Sequence, residues 1–276
     1  MPFTPSHALV ALPFIRTPLV PAAIAIGAMT PDLPLFLRGV GLNYSFTHTA
    51  GNVVWTGLLA FALFLVWRIV LRPAVPELVP AGVARRLPED WDRSAMSAAG
   101  EAVGVGQRRS YPVLLAVSLL LGVISHIVWD LFTHEGRTGV QLFPVLDEMW
   151  GPLPGFKWLQ HGSSVIGLVI IAAWALLWLR GRSPRDDVDR RVPRGVRVAW
   201  WVSLPAILVV AWVVGVLVWG PLDAEFTVQH LAYRVLPPAC AIWGAITLVL
   251  CIVISVGRSR HQRGRSRPQG RGAAKS

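Results

Sequence analysis

The chain has 276 residues, of which 54% are apolar and only 15% charged, with a mean hydropathy of +0.53 and a net charge of +11. A soluble domain of this length carries roughly a quarter of its residues as charges. Composition therefore excludes a soluble globular protein and points to an all-α, polytopic membrane protein.

The first 49 residues are apolar but broken by Pro2, Pro5, Pro13, Pro18, Pro21, Pro31 and Pro34. Ser6 is placed to cap a short helix reaching about Ile15, and Pro21 to open a second one, Ala22 to Met29. Thr30-Pro31-Asp32-Leu33-Pro34 is expected to leave regular helix, because a residue before proline avoids the helical region. This segment reads as short re-entrant or interfacial helices, with residues 18 to 37 not spanning. Asp32, between two prolines in an apolar stretch, is a carboxylate at membrane depth and so a functional candidate. The plain alternative is an N-cap for Leu33–Leu37.

Five spans follow: Ala50–Trp67, Val113–Phe132, Gly162–Leu179, Val198–Trp219 and Leu236–Val256. Each is about long enough to cross a hydrocarbon core of roughly 30 Å. Lys and Arg are distributed unevenly between them. Residues 68–111 hold seven, residues 180–197 seven, and the tail after Val256 seven, so 21 of 26 fall on alternate connections. By the positive-inside rule those three connections are cytoplasmic. Arginine that tracks the spans in this way also argues against nucleic acid as the partner. The expected organisation is one integral-membrane domain, residues 1–256, including a cytoplasmic loop 73–111, and a basic, disordered cytoplasmic tail, residues 257–276. That tail can rest on anionic membrane lipids. Trp129, Trp150, Trp158, Trp200 and Trp219 fall near span ends, as interfacial anchors do.

The second span ends in Ser125-His126-Ile127-Val128-Trp129-Asp130-Leu131-Phe132-Thr133-His134. His126, Asp130 and His134 are four residues apart, and four residues advance a helix by only about 40° beyond a full turn. One helical face is thus expected to carry two imidazoles and a carboxylate, a costly set in hydrocarbon without a partner. A metal ion fits that ligand set. Topology from arginine places His48 and His161 at the same outer end, with His7 joining them if the N-terminus is outside. His7, Asp32, His48, His126, Asp130, His134 and His161 are therefore the metal-ligand candidates. Asp32 and Asp130 are the carboxylates with a catalytic part, although Asp130 can instead orient His126. Imidazole with carboxylate suits Zn²⁺, and also Mn²⁺ or Fe²⁺. The candidates exceed the needs of one ion, so two or more ions are expected.

Met1-Pro2-Phe3-Thr4-Pro5-Ser6-His7, Thr30-Pro31-Asp32-Leu33-Pro34, Phe46-Thr47-His48-Thr49, Ser125-His126 to His134 and Gln160-His161-Gly162-Ser163-Ser164 resemble the bacterial membrane family called domain of unknown function 4184. The resemblance covers residues 1 to about 180 well and the last two spans weakly. It implies the bacterial inner (plasma) membrane. More distantly the chain is similar to the YdjM-like membrane-bound metal-dependent hydrolases, and through them to the zinc-dependent phospholipase C and P1 nuclease superfamily. That superfamily's ligand order is His, Asp, His, His-x-x-x-Asp, His, then His-x-x-x-acid. Here it reads His7, Asp32, His48, His126-x-x-x-Asp130, His134, His161, but the position four after His161 is Val165. Asp147, Glu148, Asp223 and Glu225 are the acids left to substitute.

The function expected from these readings is a zinc-dependent hydrolase at the outer membrane face. Its substrate would be a phosphoester or related ester of a lipid or lipid-linked molecule. The alternatives are a metal or proton transporter, a non-catalytic scaffold with a structural metal, and a His face that packs without metal.

Overall fold

Hydropathy decides the long elements. In the computed structural model, which describes residues 3–38, 41–92 and 94–265 without the side chains of 259–265, five helices are long and apolar enough to cross a membrane. They are Ala50–Leu78, Tyr111–Thr133, Gly155–Arg180, Arg194–Trp219 and Val228–Arg258. They contain the five expected spans and extend or match their limits. The only strands among the described residues are Met149–Trp150 and Leu153–Pro154, a two-rung antiparallel ribbon before the third span.

The first span runs past Trp67 through a π turn, Trp67–Leu71, and on to Leu78. The π turn sits just ahead of Pro73, where the regular hydrogen-bond ladder must break. Residues 73–78, expected in the cytoplasmic loop, are therefore helix. Beyond them the loop folds into Ala81–Ala84 and Ala95–Ala102, the latter capped by Ser94 Oγ accepting from Ser97 N. The last helix continues to Arg265. Residues 266–276, the rest of the expected tail, lie outside the described residues.

The arginine-rich connections meet at this end of the bundle. Arg72 pairs with Asp90, Arg185 with Asp92, and Arg258 donates to Pro73 O and Asp92 Oδ1. Glu77 is buried, and its Oε2 accepts from Arg191 N at 2.8 Å and Val192 N at 3.1 Å. Glu77→Leu strands those two backbone donors, a loss of about 1–3 kcal/mol. The expected result is a lower unfolding midpoint in detergent and faster trypsin cleavage after Arg190 and Arg191. Unchanged cleavage would show that the tether is not holding the loop.

The N-terminal segment is a 3-10 helix, Thr4–Phe14, then a helix, Pro21–Met29, then a 3-10 turn, Thr30–Asp32, and one helical turn, Leu33–Phe36. None of these approaches the 20 residues or so a spanning helix requires. Two local expectations change. Ser6 is buried inside the 3-10 helix and does not cap it. The Thr30–Pro34 segment does not leave helical backbone: Thr30 (φ −63°, ψ −39°) and Leu33 (φ −51°, ψ −38°) stay right-handed. Both prolines open short helical turns, where a missing N–H is no loss, and Thr30 Oγ1 ties back to Ile26 O at 2.7 Å.

Helix Pro21–Met29 lies against the buried stripe of the second span. Ala23, Ala60, Phe64, Leu115, Leu119 and Val123 form the core between that helix and the first two spans. The backbones nearly touch at Gly27 and Gly122, where a Cβ on either would fall 2.3 Å from Leu119 O or 2.2 Å from Ile24 O. Small residues are what permit such approaches between membrane helices. At the far side, the fourth and fifth spans are joined by tryptophans: Trp200 stacks on Trp243 at 5.3 Å and donates to Thr247. Trp200 is thus a helix–helix contact as well as a residue near a span end.

Candidate metal centre

Four elements deliver polar side chains to one buried point at the opposite end of the first two spans from the arginine layer. The 3-10 helix has three residues per turn, so Thr4 and His7 lie in one row. Thr4 Oγ1 donates to Asp32 Oδ2 at 2.7 Å, and the His7 ring stacks on His126 with centroids 3.9 Å apart. The turn Thr30–Asp32 supplies Asp32, which is fully buried. A short helix, Tyr44–Thr47, capped by Asn43, ends at His48. Thr47 Oγ1 donates to Pro31 O at 2.7 Å, which locks the His48 turn onto the Asp32 turn. The second span contributes His126 and Asp130, at 1% and 4% exposure.

The tautomers follow from the hydrogen bonds. His126 Nδ1 lies 2.7 Å from Ala28 O, and His48 Nδ1 2.9 Å from Tyr44 O. A carbonyl only accepts, so each Nδ1 carries a proton and each Nε2 is turned inward. The two Nε2 atoms are 3.2 Å apart. Asp130 Oδ2 is 3.4 Å from His126 Nε2 and 3.5 Å from His48 Nε2, and Asp32 Oδ1 is 3.6 Å and 3.8 Å from the same two atoms. A tetrahedral ion with bonds of about 2.0–2.1 Å sets its ligand atoms about 3.3–3.4 Å apart. The donor set and its spacing therefore fit a divalent ion. Two groups have ligand atoms close enough to share one: His7, Asp32 and His126, and His48, His126 and Asp130.

Unsatisfied atoms point the same way. His7 Nε2, Asp32 Oδ1 and Asp130 Oδ1 are buried without a hydrogen-bond partner. Among the described residues neither carboxylate is paired with a lysine or arginine; their only ion-pair neighbours are histidines. Uncompensated carboxylates at such burial are costly. Burial, and then His126, push the His7 imidazole down to about 3. His7 is therefore neutral, which is the ligand form. Burial, followed by the Asp130 and Asp32 carboxylates, raises the Tyr44 hydroxyl above its ordinary range, so it stays protonated and donates to Asp130 Oδ2 at 3.4 Å.

The family described as domain of unknown function (DUF4184) matches residues 1–256. The chain belongs to the DUF4184 family. No curated protein and no solved structure matches it.

In this DUF4184 protein, five of the seven sequence candidates converge: His7, Asp32, His48, His126 and Asp130. His134 lies at the edge of the cluster, in neither metal-capable group. The second span ends at Thr133, and His134 is extended (φ −131°, ψ 138°), so it leaves the helical face expected to carry it. Its Nε2 is 3.4 Å from Gln160 Nε2, and its Nδ1 is 3.7 Å from Asp130 Oδ2. His161 is exposed on the third span and in neither metal-capable group. Val165 and the substitutes Asp147, Glu148, Asp223 and Glu225 are exposed as well. His161→Ala is accordingly expected to leave metal content unchanged by elemental analysis; loss of the ion would place His161 in the centre.

Sequence reasoning missed Thr4, Tyr44, Thr47 and Gln160. For Gln160 a signal existed. Gln160, Ser164 and Gly167 recur at helical spacing, and small or polar residues at that spacing mark the packed face of a membrane helix. Gln160 and Gly167 are buried, and Ser164 accepts from Phe3 N at 2.8 Å. His161, about 100° further round, necessarily points away.

Proposed function

We propose that this DUF4184 protein is a metal-dependent hydrolase acting on a phosphoester or related ester of a lipid or lipid-linked substrate at the outer face of the bacterial plasma membrane. The observation that carries the reading is the pair of inward Nε2 atoms, 3.2 Å apart and flanked by two carboxylates. Such an arrangement suits a cation, and imidazole with carboxylate favours Zn²⁺, Mn²⁺ or Fe²⁺. A bound ion of this kind supplies Lewis acidity and an acidified water.

The chain's own part is positional. Ala28 O and Tyr44 O hold His126 and His48, and Thr4 and Tyr44 hold Asp32 and Asp130. The two ligand groups share His126, whose Nδ1 is already occupied by Ala28 O. One imidazole nitrogen has one lone pair for a metal, so we infer one ion rather than the two or more expected from the ligand count. Against a transport reading stands the low polarity of the third and fourth spans. Their ionisable residues, Lys157, His161, Arg180, Arg194 and Arg197, lie toward the helix ends.

Elemental analysis of the detergent-purified protein is expected to give about one equivalent of zinc, manganese or iron per chain. Vesicles of phosphatidylglycerol and phosphatidylethanolamine should then be hydrolysed by wild type and not by Asp130→Asn. Full metal loading without hydrolysis of these lipids or of prenyl phosphates would favour the scaffold; no metal after reconstitution would sink the reading. Sidedness has its own test. A cysteine at exposed Glu148, in a chain lacking Cys240 and Cys251, should react with an impermeant thiol reagent on intact cells. Reaction only after lysis would reverse the topology.

A further inference from the structure

The hydrolase reading leaves open how a lipid would reach a centre this deeply buried. A cleft of about 670 Å³ lies between the N-terminal 3-10 helix, the end of the second span and the start of the third. The three-residue repeat of the 3-10 helix aligns His7, Val10 and Pro13 along it. Trp129, Gly162 and Ile166 form part of its other walls. His7 therefore belongs to both the cleft and the metal-capable group with Asp32 and His126. It is 8% exposed, and its Nε2 has no hydrogen-bond partner. The walls further along are apolar, and Ile166 is on a span whose most hydropathic stretch is only 6% buried, so the cleft opens on the lipid-facing side.

Behind the buried end stand the carboxylates Asp32 and Asp130, and two cations lie on the nearby segments. Arg137 is close enough to act on Tyr44 and His134, and Lys157 donates to Gln160 Oε1 at 3.0 Å, which in turn contacts His134. Neither Arg137 nor Lys157 lines the cleft itself. A buried polar end at a metal-capable group, joined to an apolar channel open to lipid, fits a phosphate headgroup on a hydrocarbon chain.

We propose that this cleft receives one acyl chain of a phospholipid from the surrounding bilayer, with its phosphate directed to His7 and the metal-capable group behind it. The proposal rests on the hydrolase reading for its purpose but not for its test.

The test is photolabelling by phosphatidic acid carrying a diazirine on its acyl chain, in vesicles of phosphatidylethanolamine and phosphatidylglycerol, with metal content measured on the same samples. Labelling is expected at Val10, Pro13 and Ile166, displaced by unlabelled phosphatidic acid and not by diacylglycerol. Gly162→Trp should abolish it and leave metal content intact, because a Cβ at Gly162 meets nothing within 4 Å and the indole has only the cleft to fill. Labelling equal to that of exposed Val209 and Leu217 on the fourth span would overturn the proposal. So would labelling that survives Gly162→Trp in protein that keeps its metal. Should Gly162→Trp fail to fold, Ile166→Trp at the cleft wall serves in its place. Better displacement by farnesyl phosphate than by phosphatidic acid would replace the acyl chain with a prenyl one. Labelling needs no turnover, so a labelled but inactive protein sinks the hydrolase alone, and an active protein without cleft labelling sinks the cleft alone.

Discussion

His126→Ala is expected to lose the metal ion altogether. His126 is the one residue common to both ligand groups, and its Nε2 lies within 3.6 Å of His48 Nε2, Asp32 Oδ1 and Asp130 Oδ2. Removing a residue that merely orients a ligand costs about 10–100-fold in metal affinity. Thr47→Val, which removes the hydroxyl tying the His48 turn to Pro31 O, should fall in that range. His126→Ala should weaken binding by more than about 100-fold, the upper end of that range. Titration of the apo-protein with zinc in detergent separates the two, and the unfolding midpoint shows whether each variant is folded. Folded His126→Ala protein that binds zinc at parental affinity would remove His126 from the centre and end the one-ion reading.

The second large effect arises away from any ligand. Gly122→Ala adds a Cβ 2.2 Å from Ile24 O and 2.7 Å from Ala28 N. Both obstacles are backbone, so no rotamer change relieves them, and helix Pro21–Met29 must shift off the second span. Overpacking a core usually costs about 1–3 kcal/mol, and a clash with backbone at this distance should exceed that. The ion should weaken with the fold, because Ala28 O holds His126 Nδ1. Thermal unfolding and zinc titration would both register the change. Gly162→Ala is the matched control, with open space around its Cβ, and should move neither. A stable, metal-competent Gly122→Ala protein would show that the short helix does not dock through this glycine pair.

Much of the architecture was legible in the chain because hydrocarbon imposes a one-dimensional rule. A run of about 20 apolar residues must be helix, since nothing else satisfies its backbone in lipid. The five spans, and the pairing of His126 with Asp130 at i and i+4, follow from that rule and from helix geometry alone. Span limits were less legible: the first continues to Leu78 despite Pro73 and Pro76, because a π turn precedes them. The candidate site divides in the same way. His134 stands at the expected spacing, yet the helix stops one residue short of it. His161 has the better ligand chemistry, but helix phase hands the inward position to Gln160.

Residue type and spacing by themselves determined that this is a multi-span helical protein carrying an unusual stock of histidine and aspartate near one set of span ends. Only the tertiary structure decided which of them meet. The convergence of His7, Asp32 and His48 on the second span depends on Gly27 and Gly122 letting two backbones touch, and on Pro31 O receiving Thr47 across a turn. It depends also on Ala28 O and Tyr44 O, whose positions choose the tautomers that aim two Nε2 atoms at each other. Apart from the local bond of His48 to Tyr44 O, these contacts join one segment to the backbone of another distant in sequence. Side-chain periodicity carries no trace of them, because every residue has the same carbonyl and only the fold says which one is near.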